Sequence, residues 1–192
     1  SAAQRWLSGI GVDLASFQKD VDRDLTPRSR AATGIAVRGR IALTATYVDA
    51  ENLAGIIPGR GRLGRDVVVL GAHYDHLGWG GERSMRPNDR AIHNGADDNA
   101  SGASAVLLAA QELKRRLKGV RDHREVVIAL FSGEEVGLAG SAHLVANPPF
   151  AMERVAAMVN LDMVGRLRDN TLVALGLESA PEWKDLLRQA AT

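Results

Sequence analysis

A histidine and an aspartate two residues apart are the first residues of this chain whose types and spacing could do chemistry. His73 and Asp75 directly follow the apolar run at 67–70. A metal-binding imidazole needs an acceptor on its second ring nitrogen, and a carboxylate two residues along an extended segment can turn back to supply it. The spacing therefore favours His73 as a metal ligand and Asp75 as the group that orients its ring.

Acidic residues occur at three further places of the same kind. Each of them follows an apolar run or lies at the start of the helix after one. They are Asp98, the adjacent pair Glu134 and Glu135, and Asp162. Ligand sites of open α/β sheets lie outside the carboxyl ends of the strands. We therefore expect these side chains to gather with His73 at one edge of a sheet.

The residue types in this set suit a metal-dependent hydrolytic site. The chain has no cysteine, so a metal must bind nitrogen and oxygen, and zinc accepts imidazole with carboxylate. A carboxylate can bridge two ions about 3.5–4 Å apart. In the pair Glu134 and Glu135, one member can bind metal while its neighbour takes a proton from an activated water.

The elements that must position these residues form an α/β pattern. Strands are predicted at 33–48, 52–57, 66–70, 125–131, 155–161 and 171–175, and helices from about 101, at 137–146 and at 182–191. This order predicts a three-layer sandwich with a mixed, mostly parallel central sheet, in which the first two strands pair as an antiparallel edge. Residues 1–30 form a short helical and polar lead-in or linker, and 31–192 form the main domain.

The segment 59–64 matches the glycine pattern of dinucleotide-binding loops, GxGxxG. That pattern needs a strand before it and a helix after it, because the pyrophosphate binds at the helix N-terminus. Here another predicted strand follows at once. We therefore interpret the segment as a glycine-rich connection between strands.

Composition limits the possible partners. With 45% hydrophobic and 24% charged residues, the chain has the composition of a soluble globular domain. The formal net charge is +1, and the cluster Arg60, Arg62 and Arg65 lacks interleaved aromatic residues, so nothing indicates nucleic-acid binding. No apolar run reaches membrane-spanning length, and the first residues do not have the pattern of a signal peptide.

Four segments, in this order, resemble the co-catalytic zinc peptidases of the aminopeptidase Y and bacterial leucyl aminopeptidase family. They are GAHYD at 71–75, GADDNASG at 95–102, FSGEE at 131–135 and NLDMVG at 160–165. The resemblance extends from about residue 50 to about residue 176. It implies a zinc-exopeptidase fold, two zinc ions in the complete enzyme and a peptide substrate.

The resemblance also implies a role for each site residue. Asp98 is preferred over Asp97 as the bridging aspartate, with Asp97 as the alternative. The implied roles are zinc ligands for His73 and Asp162, a bridge for Asp98, a ligand of the second zinc for Glu135, the general base for Glu134, and orientation of His73 for Asp75.

The sequence departs from the family pattern at one ligand. A second histidine ligand normally lies downstream of the Asp162 motif, but this chain has no histidine after Asp162. The remaining histidines match no ligand motif, and we expect them on the surface or behind the ligands; they are His76, His93, His123 and His143. We therefore expect a catalytic domain truncated at its C-terminus, in which one zinc site lacks its histidine.

The expected activity is removal of N-terminal residues from peptides by a metallopeptidase. One alternative is a related carboxypeptidase or deacylase, although that group usually has Lys and glycines after the bridging aspartate, whereas 99–102 is NASG here. A glutaminyl-cyclase-like acyltransferase and a non-catalytic peptide-binding domain of the same fold are further alternatives. Relatives with a similar lead-in are usually exported, so we expect an extracytoplasmic location, periplasmic or secreted.

Overall fold

The N-terminal part of the chain forms a small helical unit. A computed structural model describes residues 2–29, 31, 34, 36, 38–44 and 46–190, and the chain divides into two compact units, Ser1–Tyr47 and Val48–Thr192. The first contains helices α1 (Ala2–Ser8) and α2 (Leu14–Asp24), as the helical pattern predicts. The predicted boundary lies after residue 30, whereas this division falls after Tyr47.

The second unit is built on a four-stranded mixed sheet. Its strands are β1 (Leu53–Ile57), β2 (Val67–His73), β3 (Glu125–Phe131) and β4 (Val155–Asn160), in the order β1-β3-β2-β4. β2 is parallel to both β3 and β4, and β1 is antiparallel to β3. The apolar, β-branched sequences of β2 and β3 suit central strands that are covered on both faces.

Two helices cover opposite faces of the sheet. Helix α3 (Gly102–Arg116) buries Val106 against Ala72 and Ile128 on one face. On the other face, Leu144 of α4 (Ala139–Ala146) packs against a cluster of alternate strand residues, namely Val67, Val69, Val127, Ala129 and Phe131. A last helix, α5 (Glu182–Ala190), follows. Three layers with a mostly parallel sheet confirm the predicted fold class.

The predicted strand at 33–48 is wrong for the residues that the structure describes. None of them lies in a strand, and the side chains of Ile41 and Leu43 are exposed; Thr33, Ile35, Val37 and Ala45 lie outside the described residues. The antiparallel edge is instead formed by β1 on β3. Alternating β-branched residues form a strand only where a neighbour supplies hydrogen bonds and a packed face, so local pattern was insufficient.

The predicted strand at 171–175 is also wrong. Thr171 makes a single antiparallel bridge to Arg168, and Leu172, Val173 and Leu175 are exposed. The apolar side chains of this segment therefore do not pack in the sheet. Every other predicted strand or helix of the second unit has a counterpart whose ends differ by a few residues.

The glycine-rich segment connects β1 to β2. A Cβ on Gly59 would lie 2.6 Å from the Cα of Gly64, so the two glycines let the turn close tightly. A single short turn at Leu63–Arg65 leads directly into β2. This confirms a connection between strands rather than a phosphate loop. In the described part of the chain, no helix combines the length and apolar character needed to span a bilayer.

Candidate metal centre

The ends of the parallel strands bring the predicted residues to one edge of the sheet. His73 is the last residue of β2, and it pairs in register with Phe131, the last residue of β3. The N–H of Leu161 donates to the carbonyl of Gly71 across 2.9 Å, which keeps the chain beside β2 as it leaves β4. Residues that follow these strand ends therefore start from neighbouring positions.

One group of side chains centres on His73, whose side chain is only 3% exposed. Its Nε2 lies 3.1 Å from Oδ1 of Asp98 and 3.5 Å from Oδ1 of Asp162. Two ligands of a tetrahedral zinc, each about 2.0–2.1 Å from the metal, are about 3.3 Å apart. The His73 nitrogen therefore lies at the spacing of zinc ligands from both carboxylates, and all three ligand atoms lie within 4.8 Å of one another.

A second group shares Asp98 with the first. Nδ1 of His76 lies 2.7 Å from Oε1 of Glu135 and 4.0 Å from Oδ1 of Asp98. His76 was expected on the surface or behind the ligands, and the structure instead brings its ring into the cluster. The only hint in the sequence that His76 could be a ligand was its position three residues after His73. In the structure, both imidazoles face the carboxylate of Asp98.

The second group also contains polar atoms without a hydrogen bond. Nδ1 of His76 and Oε1 of Glu135 are buried and make no hydrogen bond in the described structure, although they are near each other. Unsatisfied buried polar atoms each cost about 1–3 kcal/mol. A cation bound between these atoms would satisfy both, so the residues present fit a metal ion held by nitrogen and oxygen.

Asp75 lies beside His73, but its carboxylate has a different partner from the one predicted. The Nδ1 of His73 lies 3.1 Å from the carbonyl oxygen of Asp75, and 3.7 Å from Oδ1 of the carboxylate. The two carboxylate oxygens accept from the backbone N–H groups of Glu134, at 3.1 Å, and Glu135, at 3.3 Å. The ring is therefore held by a carbonyl, and the carboxylate holds the turn that carries both glutamates.

The two adjacent aspartates have different surroundings. Asp97 accepts from the N–H of Gly165 at 2.9 Å and from Nε of Arg166 at 2.7 Å, and the Arg166 guanidinium lowers the pKa of this carboxyl. Asp98 instead faces His73 and His76. This arrangement favours Asp98 over Asp97 as the carboxylate shared between two ions.

Glu134 lies in the wall of a cavity of about 160 Å³ next to His73. Phe131, Leu138 and Met158 supply apolar walls. Burial raises the pKa of Glu134, and the charges of Glu135, Asp162 and Asp75 add to this while His73 opposes it. A carboxylate with a raised pKa beside the two groups is suited to accept a proton. A larger hollow of about 430 Å³ lies between β1 and α3, away from these side chains.

The carboxylates near His73 also act on its ring. Burial alone lowers the pKa of His73, but the negative charges of Asp162, Glu134 and Asp98, together with the Asp75 carbonyl, reverse this and raise it. This accumulation of negative charge around one buried imidazole is the electrostatic environment that a bound cation neutralises.

The other histidines lie outside both groups. The ring of His93 is 6.4 Å from that of His76, and its Nε2 lies 3.3 Å from the hydroxyl of Ser84. His123 is buried beside the carbonyl of Arg124, and His143 lies on α4 beside Asn147. The expectation of a position on the surface or behind the ligands is wrong for His123, which is buried beside the carbonyl of the next residue.

Several known proteins are similar in sequence to this chain. Aminopeptidase YwaD of Bacillus subtilis is 30% identical over 162 residues, which cover 83% of this chain and 30% of the relative. A probable leucine aminopeptidase of Arthroderma otae is 33% identical over 116 residues, 59% of this chain and 30% of the relative. A probable zinc metalloprotease of Pyrenophora tritici-repentis is 38% identical over 98 residues, 50% of this chain and 20% of the relative.

The chain thus spans 30% or less of the length of these relatives. The sequence model described as Peptidase family M28 matches residues 52–192, which include both groups of side chains. The match confirms the predicted family resemblance and the predicted enzyme class, a metallopeptidase domain. The chain belongs to Peptidase family M28.

Proposed function

We propose that this chain is the catalytic domain of a zinc-dependent aminopeptidase. The observation that supports this best is that Asp98 belongs to two groups of metal-ligating side chains, with Glu134 beside them. One group adds His73 and Asp162, and the other adds His76 and Glu135. Two ions that share a carboxylate form the arrangement of two-metal hydrolytic sites.

Each residue has a defined task in peptide hydrolysis. Zinc, when bound, would lower the pKa of water to about 7 and polarise a carbonyl oxygen. Glu134 accepts the proton of the attacking water and delivers it to the leaving amine. His73 keeps Nε2 available because its Nδ1–H donates a hydrogen bond to the Asp75 carbonyl. Asp75 also fixes the backbone of Glu134, which places this base at the cavity wall.

The substrate is a peptide with an apolar N-terminal residue. The cavity beside Glu134 is lined by Phe131, Leu138 and Met158, which would accept an aliphatic side chain. The names of the Bacillus and Arthroderma relatives, both aminopeptidases, favour cleavage from the amino end.

The replacement Glu134→Gln tests the proposal. We expect this variant to keep the zinc content of the wild type and to lose turnover of leucine p-nitroanilide by about 100-fold or more, because the general base is gone. The matched control is Glu153→Gln, an exposed carboxylate, which should keep both properties. Wild-type turnover by Glu134→Gln would refute the assignment of the base.

A panel of substrates separates the alternative functions. An aminopeptidase cleaves Leu-Gly-Gly and spares its N-acetylated form. A carboxypeptidase or deacylase cleaves the acetylated form, and a glutaminyl cyclase closes the ring of an N-terminal glutamine. Saturable peptide binding without any of these reactions would indicate a non-catalytic binding domain.

A further inference from the structure

We infer that His76 is a ligand of the second metal position, where its Nδ1 binds together with Asp98 and Glu135. The inference rests on the proposed metal-dependent function, and it concerns a residue that the family pattern does not use as a ligand. It starts from the two buried atoms that make no hydrogen bond in the described structure, Nδ1 of His76 and Oε1 of Glu135.

The distances in this group enclose a metal position. Ligands of one tetrahedral zinc are about 3.3 Å apart, and the separations from His76 Nδ1, 2.7 Å to Glu135 and 4.0 Å to Asp98, lie on either side of this value. Changes of less than 1 Å would bring both of these separations to ligand spacing, and all three ligand atoms lie within 4.8 Å of one another. The Nδ1 nitrogen, rather than the opposite side of the ring, faces both carboxylates.

The position of the His76 ring is set by packing. A Cβ on Gly95 would lie 2.9 Å from both Cβ and Cγ of His76, so the ring side chain rests against the backbone of Gly95. Gly95 has φ of 62°, and it begins the turn that carries Asp98. The turn that contains Asp98 therefore also holds the ring of His76 in place.

The alternative is an ion pair without metal, in which a protonated His76 neutralises Glu135. The separation of 2.7 Å is that of an ion pair, but the two atoms are not arranged as a hydrogen bond. The group also shares Asp98 with His73, so a cation in the second group completes a pair of adjacent positions.

The test measures zinc binding by the purified protein after removal of metal by a chelator. We expect two zinc ions per wild-type chain by elemental analysis and titration. His76→Ala should bind one ion with unchanged affinity and the second more than about 100-fold more weakly. The control His93→Ala removes the neighbouring ring, 6.4 Å away, and should still bind two ions.

A second measurement needs no substitution. In wild-type protein with ¹⁵N-labelled histidine, the Nδ1 resonance of His76 should shift when the second equivalent of zinc is added, and that of His93 should not. Two tightly bound ions in His76→Ala, or an unmoved His76 resonance at the second equivalent, would overturn the inference.

Hydrolysis and metal binding distinguish this inference from the proposed function. Two ions that depend on His76, with no cleavage of any peptide, would reject the function and support the ligand. Peptide cleavage, together with metal binding that does not depend on His76, would support the function and reject His76 as a ligand.

Discussion

The side-chain amide of Asn99 donates a hydrogen bond to the backbone carbonyl of Leu161 across 3.0 Å. Asn99 follows Asp98, and Leu161 precedes Asp162, so one buried side chain ties together the two segments whose carboxylates face His73. The Oδ1 of Asn99 also accepts from the N–H groups of Gly102 and Met163, at 3.0 and 3.2 Å. A residue that binds no metal thus sets the distance between two candidate ligands.

Replacing this asparagine should disrupt stability and metal binding together. In Asn99→Leu, the carbonyl of Leu161 and the N–H groups of Gly102 and Met163 lose their partner in a buried place. We expect the free energy of unfolding, from urea denaturation, to fall by about 3 kcal/mol or more, with weaker zinc binding.

The exposed Asn94 provides the control for that experiment. Asn94→Ala should change the free energy of unfolding by less than about 0.5 kcal/mol. Equal stability of Asn99→Leu and the wild type would show that the three hydrogen bonds are not structurally important.

The carboxylate of Asp75 should matter for the base more than for the histidine. Asp75→Asn keeps the carbonyl that holds His73 but removes one of the two oxygens that accept from Glu134 and Glu135. We expect kcat to fall about 10- to 100-fold, with little change in zinc affinity.

Zinc titration decides between the two roles of Asp75. A large loss of zinc affinity with an unchanged kcat would show that the carboxylate acts on His73, as the sequence suggested. Asp89→Asn, in an exposed ion pair with Arg86, is the control and should leave both quantities unchanged.

The adjacent aspartates should respond differently to the same substitution. Asp98→Asn removes the charge shared by both groups, so both zinc ions should bind more weakly. Asp97→Asn should keep zinc binding and lower the melting temperature, because Asp97 holds Arg166 and the backbone of Gly165. The reverse pattern in a zinc titration would make Asp97 the bridge.

The first residue of α3 should tolerate no side chain. A Cβ on Gly102 would overlap the carbonyl oxygen of Leu161 and Oδ1 of Asn99. We expect Gly102→Ala to destabilise the protein by about 2 kcal/mol or more, since either the helix or the segment after β4 must move.

Gly55 in β1 is the matched glycine. Its added Cβ would meet only Cβ of Ile128, at 3.9 Å, an ordinary contact. Gly55→Ala should be neutral or stabilising by up to about 1 kcal/mol, because the unfolded chain loses freedom. Similar melting temperatures for the two variants would contradict the close packing at Gly102.

The sequence alone determined the fold class and the main members of the candidate site. The apolar runs that become β2 and β3 are long enough and rich enough in β-branched residues to require burial on both faces, and this demands a central, mostly parallel sheet. Once that sheet is parallel, polar residues after its strands must meet at one edge, so His73, Glu135 and Asp162 could be grouped without coordinates.

Tertiary structure decided the features that depend on a neighbour distant in sequence. The alternating residues at 33–48 and the apolar residues at 171–175 resemble strands locally, but strand formation requires a partner that the pattern does not reveal. Likewise, only the folded turn shows that the Asp75 carboxylate accepts from the glutamate backbone and that Asp97 pairs with Arg166. The place of His76 beside Glu135 also arises from long-range packing, because the two residues come from different strand ends that only the sheet brings together.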